Sequence, residues 1–457
     1  MDLRFQISLA TAKVLKIAIN KTGGGATAAP GLCSLYLDPN LLKKLSQGLQ
    51  TTILVTGTNG KTTTSRLIGD NLDKLGINYI YNRHGSNLER GLISAFLNKV
   101  NYKGELETQT SLFEVDEAAL KTVITKLSPT VLVINNLFRD QLDRYGEVDN
   151  IRKIWEKCIA NLDENTTLVL NADDPTLAYL GKNVHCKVIY FGIEDRKLLN
   201  KDVPLAVDNI RCPSCGANLK YSGYFISHQG HFECPQCNFS RPKPDIVADK
   251  IKLSQNKSEF DLVDKSGFSL DLTNNVPGLY NIYNCLSSYA ALKAANFSLD
   301  SFSLTVHDFR PVFGRAEKLS HQGRNIVVAL AKNPTGFNEI INTYLKNGPQ
   351  TVLILINDLI ADGRDVSWLW DVNFEQLTDI KHKFLTSGIR GADMALRLKY
   401  AGLTNFENIV DVGDALDKGL AEIPQNDTLL IIPTYTAMLG LKKLFVKKGV
   451  GGEFWED

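Results

Sequence analysis

The apolar run Ile53-Leu54-Val55-Thr56 passes directly into Gly57-Thr58-Asn59-Gly60-Lys61-Thr62-Thr63-Thr64, and a helical pattern over 62–75 follows without a gap. A strand that ends in glycines and opens a helix is the local geometry of a phosphate-binding loop. Glycine lets the backbone come close to an anion, and the amide N–H groups of the helix start supply partial positive charge. On this reading Gly57, Thr58, Asn59, Gly60, Lys61, Thr62 and Thr63 bind a nucleotide. Lys61 reaches the terminal phosphates and Thr62 holds Mg²⁺. Val55 stands where the GxxxxGK[ST] pattern has its first glycine, so the loop is the compact GTNGKT form.

Around this loop, strand and helix signals alternate. Strands are predicted at 51–56, 78–82, 110–115, 130–134, 166–170 and 187–191, with helices between, for example at 149–161. This rhythm predicts an α/β fold built on a doubly wound, mostly parallel sheet. Residues 205–247 break the rhythm and read as an insertion. Sheet-like alternation resumes at 258–273, followed by a helix near 281–296. A second α/β series has strands at 325–330, 351–356, 383–386, 408–411 and 428–432. A length of 457 residues fits two or three domains. We expect an N-terminal helix and loop over 1–44, a central domain over 45–308 that includes the insertion, and a C-terminal Rossmann-like α/β domain over 309–457.

Charge narrows the function classes. Lys+Arg is 51 and Asp+Glu is 50, so the net charge is +1. A chain living on nucleic acid is usually basic, which argues against a nucleic-acid partner. No apolar stretch approaches the ~18 residues a membrane helix needs, and residues 1–20 do not read as a signal peptide. Cytoplasmic residence is the expectation. Leu3, Ile7, Ala10, Val14 and Ile17 follow helical spacing and predict an amphipathic helix packed on the body. Lys13, Lys16 and Lys21 on that helix allow at most peripheral contact with the inner membrane face. The segment 22–32 reads as a loop.

Four of the eight cysteines form two knuckles, Cys212-Pro-Ser-Cys215 and Cys234-Pro-Gln-Cys237, eighteen residues apart. Paired CxxC turns aim four thiolates at one point and suit a tetrahedral, structural Zn²⁺. Two disulfides are the competing reading. His228 and His231 lie inside the ribbon, but four thiolates already fill the shell. Cys33, Cys158, Cys186 and Cys285 stand alone, and none has the setting of a nucleophile.

TGTNGKTTT resembles the ATP loop of the Mur ligase superfamily, which joins amino acids to carboxylates through acyl phosphates. Further segments follow in that family's order. In Phe113-Glu114-Val115-Asp116-Glu117, Glu114 matches a metal-binding glutamate. Asn135-Asn136 through Asp140-Gln141-Leu142-Asp143-Arg144-Tyr145-Gly146 resembles N…DHLDRHG, although the roles of Asp140 and Asp143 stay open. Asn171-Ala172-Asp173-Asp174-Pro175 resembles NADDP. In Gly278-Leu279-Tyr280-Asn281-Ile282-Tyr283-Asn284, the resemblance places Asn281 near adenine, with Tyr280 replacing the usual His. In Phe313-Gly314-Arg315-Ala316-Glu317 it places Arg315 near the phosphates. The resemblance thus implies a Mur ligase-type central domain with ATP and Mg²⁺ as cofactors, and Lys61 and Glu114 acting in catalysis.

The departures point to one branch. Ala331-Lys332-Asn333-Pro334 stands where the ligases carry DYAHNP, and the four-Cys insertion is foreign to most of them. Together with Ala361-Asp362-Gly363-Arg364-Asp365-Val366-Ser367-Trp368, these features resemble the ligase-like subunits of lipid II isoglutaminyl synthases. That resemblance implies ATP-dependent amidation of the D-glutamate α-carboxylate of lipid II or a related muropeptide. The ammonia would come from a separate glutaminase subunit resembling GatD, in a heterodimer. It also implies that Asp365 reaches the partner's histidine as third member of a triad, with Asp358 and Asp362 as competitors. Lys318 and Lys332 receive no role. The competing functions are a self-sufficient Mur-type or folylpolyglutamate-type ligase and a zinc-ribbon nucleic-acid-binding NTPase.

Overall fold

Runs rich in Val, Ile and Leu, buried on both faces, form the parallel strands that carry this molecule. The computed structural model describes residues 2–21, 27–83, 86–140, 148–204, 210–311, 314–346 and 350–450. The glycine-rich stretch 22–26, Asp143 with the rest of 141–147, residues 205–209 of the insertion and Phe313 lie outside the described residues.

The strands of the first half are β1 (Thr51–Thr56), β2 (Ile80–Tyr81), β3 (Thr110–Glu114), β4 (Val131–Ile134), β5 (Thr167–Asn171) and β6 (Lys187–Ile193). After them come β7 (Lys220–Ile226), β8 (Gln229–Glu233), β9 (Ile246–Leu253), β10 (Ser258–Asp264) and β11 (Ser269–Asn274). A nine-stranded sheet has the order β11-β10-β9-β6-β5-β4-β1-β3-β2. It is parallel from β2 through β9 and antiparallel at β10 and β11. The helix Lys61–Lys74 and the helix Leu279–Ala294 pack on it.

The second half contributes β12 (Arg315–His321), β13 (Arg324–Ala329), β14 (Thr351–Leu355), β15 (Lys383–Ser387), β16 (Phe406–Asn408) and β17 (Thr428–Pro433). They form a six-stranded sheet in the order β12-β13-β17-β14-β15-β16, parallel except for β12. One buried apolar cluster runs from Ile53, Val55 and Val133 under the first sheet to Val327, Ile354 and Ile432 under the second. The two sheets therefore share a core.

Four local expectations shift. The loop predicted over 22–32 gives way at Ala29 to a helix, Ala29–Leu37. The strand predicted at 408–411 lies at Phe406–Asn408, and the one at 78–82 shrinks to two residues. The N-terminal helix, Leu3–Lys21, does pack on the body, but not through the predicted stripe. Leu3, Ile7, Val14 and Ile17 are exposed, while Ser8, Leu9 and Ala12 are buried. Small residues decide this. Ser8 and Ala12 oppose a helix, Ala29–Leu37, whose buried residues are Pro30, Gly31 and Ser34, and the Ser8 hydroxyl donates to the Ser34 carbonyl at 2.8 Å. Lys13 donates to the Val100 carbonyl and Lys16 to Asn98 Oδ1. Among the described residues no helix is long and apolar enough to cross a membrane.

The insertion occupies the crossover between β6 and β9. Its hairpin, β7–β8, is bolted to the sheet through the NADDP turn. Asp173, fully buried, accepts from Arg241 Nε at 2.5 Å, from the Ile193 amide at 2.9 Å and from the Tyr283 hydroxyl at 2.8 Å. Asp173→Ala would break the buried pair with Arg241, whose side chain is 11% exposed and would keep only the half-buried Glu194 at 2.7 Å and the Ile193 carbonyl. Breaking a buried pair from one side costs about 3–5 kcal/mol. Chemical denaturation should register a loss of that size, and a loss below about 1 kcal/mol would contradict this anchoring.

Candidate active site

The glycine loop lies at the carboxyl end of β1, between β3 and β4. Gly57 and Gly60 have φ of 129° and 84°, a region that side chains rarely adopt. Space matters as well: a Cβ on Gly60 would sit 2.1 Å from Asn284 Oδ1. The loop is clamped to the segment after β4. The Asn59 amide donates to Asn136 Oδ1 at 2.8 Å, and the Asn136 amide group returns a bond to the Asn59 carbonyl at 3.1 Å. Thr58 Oγ1 exchanges bonds with the backbone of Phe138. The side chain of Thr58 is therefore spent on shaping the loop. The helix Lys61–Lys74 starts at Gly60 with no side-chain cap. Its first N–H groups lack intrahelical partners and are oriented for an anion.

Lys61 Nζ donates to the Gly57 carbonyl at 2.6 Å and pairs with Glu117 Oε2 at 2.9 Å. Burial raises the Glu117 carboxyl above its ordinary value, against the pull of Lys61 and Lys332. A second ion pair stands beside the first: Lys332 Nζ to Asp140 Oδ2 at 2.5 Å. Burial pulls Lys332 down, but Asp140 and Glu117 outweigh it and hold the ammonium above its usual range. Asn333 pairs its amide with that of Asn59 at 3.1 Å and caps the helix Pro334–Ile340 by accepting from the Gly336 amide. Residues 332–333, just past β13, thus close over the loop from the second sheet.

Beyond the loop a cavity of about 110 Å³ opens between the sheets. Asn59, Gly60 and Thr63 form one end, and Tyr280, Asn281, Arg315 and Glu339 line its walls. Asn281 reaches the cavity with its amide already engaged: Nδ2 donates to the Pro277 carbonyl at 2.7 Å, and Oδ1 accepts from Asn284 at 3.2 Å. Burial pushes the Tyr280 hydroxyl up to about 12 and the Glu339 carboxyl up to about 7. Glu114 ends β3 opposite Val55 in register, with its backbone held by the Asn82 amide group. It therefore stands at the end of β3 beside the end of β1, from which the loop departs.

The four knuckle cysteines converge. Their Sγ atoms all lie within 4.8 Å of one another, with Cys212–Cys237 at 3.6 Å and Cys215–Cys234 at 3.5 Å. These separations are well beyond the S–S bond of about 2.05 Å that the disulfide reading needs. Tetrahedral Zn–S bonds of about 2.3 Å would space the sulfurs about 3.8 Å apart, so the donor set fits zinc. His228 and His231 are elsewhere: the His228 ring lies tilted against Phe138 with centroids 5.1 Å apart and meets Asp174 at 3.3 Å, and His231 meets the Ile193 carbonyl. Burial holds the Cys158, Cys186 and Cys285 thiols above their ordinary value, the opposite of what a nucleophile needs.

The three aspartates past β14 differ sharply. Asp362 is buried, accepting from the Thr436 amide and hydroxyl and from the Leu359 amide. Asp358 pairs with Arg390 at 3.0 Å. Asp365 is exposed, and hydrogen bonds from Ser367 hold its carboxyl below the usual range.

Two family models match: Mur ligase middle domain over residues 55–234 and MurT ligase C-terminal over residues 330–438. The MurT subunit of lipid II isoglutaminyl synthase (glutamine-hydrolyzing) from Streptococcus pneumoniae is 30% identical over 98% of this chain and 99% of its own. The chain belongs to the MurT family. Among solved structures, a pseudomurein peptide ligase type C from Methanothermus fervidus superposes with a TM-score of 0.70 at 24% identity, covering 88% of this chain and 80% of that one. The MurF ligase of Thermotoga maritima, solved in complex with ADP, gives 0.65 at 16% identity over 91% and 84% of the two chains. The fold is that of the Mur ligases.

For a MurT-family chain, the structure adds groups that the sequence reading left without a role. Glu117, Asp140 and Lys332 join Lys61 in one cluster, although Glu117 was noticed only as part of the Glu114 segment. Lys318 sits apart, its ammonium on Asn256.

Two outcomes follow from this geometry. Purified protein should carry one zinc per chain by elemental analysis, and Cys212→Ser should lose it together with several degrees of thermal stability; a metal-free wild type of equal stability would contradict the ribbon assignment. Glu339 and Glu317 are both raised to about 7 by burial. The folded state therefore holds protons that the unfolded chain releases above about 4.5, and stability is lost as pH rises from there to about 7. Glu339→Gln cannot ionise, so its melting temperature should fall less than that of wild type between pH 5 and pH 8. Identical profiles would contradict the shift.

Proposed function

We propose that this chain is the ATP-consuming subunit of a lipid II isoglutaminyl synthase. It amidates the α-carboxylate of D-glutamate in the peptidoglycan stem with ammonia from a glutaminase subunit resembling GatD. The near-full-length likeness to MurT subunits carries this reading, and the anion-ready loop supports it.

A carboxylate is a poor acyl donor because oxide would have to leave. Transfer of the γ-phosphoryl of ATP to it gives an acyl phosphate, which an amine can attack. In the chain, the N–H groups at 57–63 and the Lys61 ammonium offset charge that builds on the phosphoryl oxygens. Releasing Lys61 toward the phosphates frees Glu117, and Lys332 lies close enough to compensate it. Thr62 and Glu114 would hold Mg²⁺, which supplies further charge neutralisation when bound. Arg315 and Asn281 face the nucleotide from the cavity walls. No side chain in the 331–334 segment offers a carboxylate or imidazole for an incoming amino acid, as befits ammonia.

Asp365 is the group proposed to serve the partner's histidine. It is exposed at the carboxyl edge of the second sheet, beside Ile360, which is 79% exposed. The same edge bears exposed Ile389 and Val410, an apolar rim suited to a partner subunit. Asp362 is disfavoured because its carboxylate already holds Thr436. The exposed stripe Leu3, Ile7, Val14 and Ile17 supports peripheral contact with the inner membrane face, where the lipid-linked substrate resides.

Co-purification with a glutaminase subunit, followed by an assay of muropeptide amidation, tests the whole reading. The complex should require both ATP and glutamine, and ammonium should replace glutamine. Lys61→Ala should lower amidation at least about 100-fold with either nitrogen source. Asp365→Asn should spare ammonium-driven amidation and lower glutamine hydrolysis. Activity of the lone chain with glutamine, or unchanged hydrolysis in Asp365→Asn, would contradict it.

A further inference from the structure

The zinc ribbon is more than an ornament on the fold, because the tip of its hairpin enters the cavity between the sheets. Ile226 and Gln229, the last residue of β7 and the first of β8, line that cavity opposite Tyr280 and Arg315. The tip is held on every side. The Gly230 amide donates to the Asp173 carbonyl at 2.9 Å, and His228 packs on Phe138. A Cβ on Gly230 would sit 2.2 Å from the Gly223 carbonyl, so the two strands of the hairpin are pressed together. At its other end β8 runs straight into the knuckle that begins at Cys234.

Gln229 carries a polar group at this tip that packing does not explain. The residue is 2% exposed, yet its Nε2 has no hydrogen-bond partner among the described residues. Leaving a buried amide donor unpaired costs about 1–3 kcal/mol, so such a group is expected to have a ligand. The other side-chain amides lining the cavity are engaged: Asn59 with Asn333, Asn136 with the Asn59 backbone, and Asn281 with Pro277 and Asn284. The phosphate end is fully furnished by the loop. A purine base presents ring nitrogens as acceptors to such a donor.

We propose that Gln229 reads the purine base of the bound nucleotide by donating from Nε2 to a ring nitrogen, so that the zinc-held ribbon forms the base-specificity wall of the site. This rests on the nucleotide reading above and extends it to a residue outside the family's ATP-loop segments. β8 links base and metal mechanically: the knuckle fixes one end of a five-residue strand, and Gln229 stands at the other.

Calorimetric titration of the full chain with ATP and with its 1-deaza, 3-deaza and 7-deaza analogues tests the proposal. One analogue should bind wild type about tenfold more weakly than ATP. Gln229→Leu should bind ATP about tenfold more weakly, and that analogue should carry no further penalty in it. Gln229→Glu, which keeps shape but replaces the donor with an acceptor, should lose ATP affinity similarly while retaining one zinc per chain. Full ATP affinity in both variants, or an analogue penalty unchanged by Gln229→Leu, would overturn the assignment while leaving the nucleotide reading intact. Failure of the wild type to bind ATP would sink the nucleotide reading itself, and this assignment with it.

Discussion

Buried charge governs this molecule. Lys61, Glu117, Asp140 and Lys332 come from four separate segments and stand side by side at the glycine loop. Ionised groups tolerate such burial only when each faces an opposite charge. That constraint ties the second sheet to the first, because Lys332 follows β13 while Asp140 follows β4. It also makes the loop responsive. An anion arriving at the helix Lys61–Lys74 competes with Glu117 for Lys61, and the neighbouring Lys332–Asp140 pair must readjust.

The rest of the site is arranged around that cluster. Glycines at 57 and 60 permit a backbone path that the segment Asn135–Phe138 then locks by side-chain and main-chain bonds. Asn333 reaches Asn59 from the opposite sheet, so the loop is touched by both halves of the chain. The ribbon supplies a third wall, anchored by Asp173 on one side and by four converging thiols on the other. The cavity is therefore assembled from the loop, the helix Leu279–Ala294, the segment from Arg315 to Glu339 and an inserted hairpin. None of these forms a site alone.

Much of this was legible in the sequence, and the failures have physical causes. The loop was readable because its chemistry is local: strand, glycines, lysine and helix are contiguous. The convergence of the four cysteines was readable because CxxC spacing dictates a knuckle. The N-terminal helix misled because Leu3-Ile7-Ala10-Val14-Ile17 makes a larger apolar face than Ser8-Leu9-Ala12. Close approach to Gly31 and Ser34 favoured the smaller face, which periodicity alone cannot reveal. The charge cluster was invisible because its pairs join residues 56 and 192 positions apart. Gln229 looked like an ordinary polar residue, since an orphaned donor exists only once the surroundings are folded. The aspartates past β14 could not be ranked by spacing, and burial separates Asp362 from its two neighbours.

The central claim is that this chain activates a carboxylate by phosphorylation. Isotope tracing addresses it directly: a muropeptide whose D-glutamate α-carboxylate carries ¹⁸O is turned over by the complex with ATP and glutamine, and the phosphate released is weighed. An acyl phosphate requires one ¹⁸O to leave with the inorganic phosphate for each amide formed. Phosphate free of the label, alongside amide product, would contradict the account.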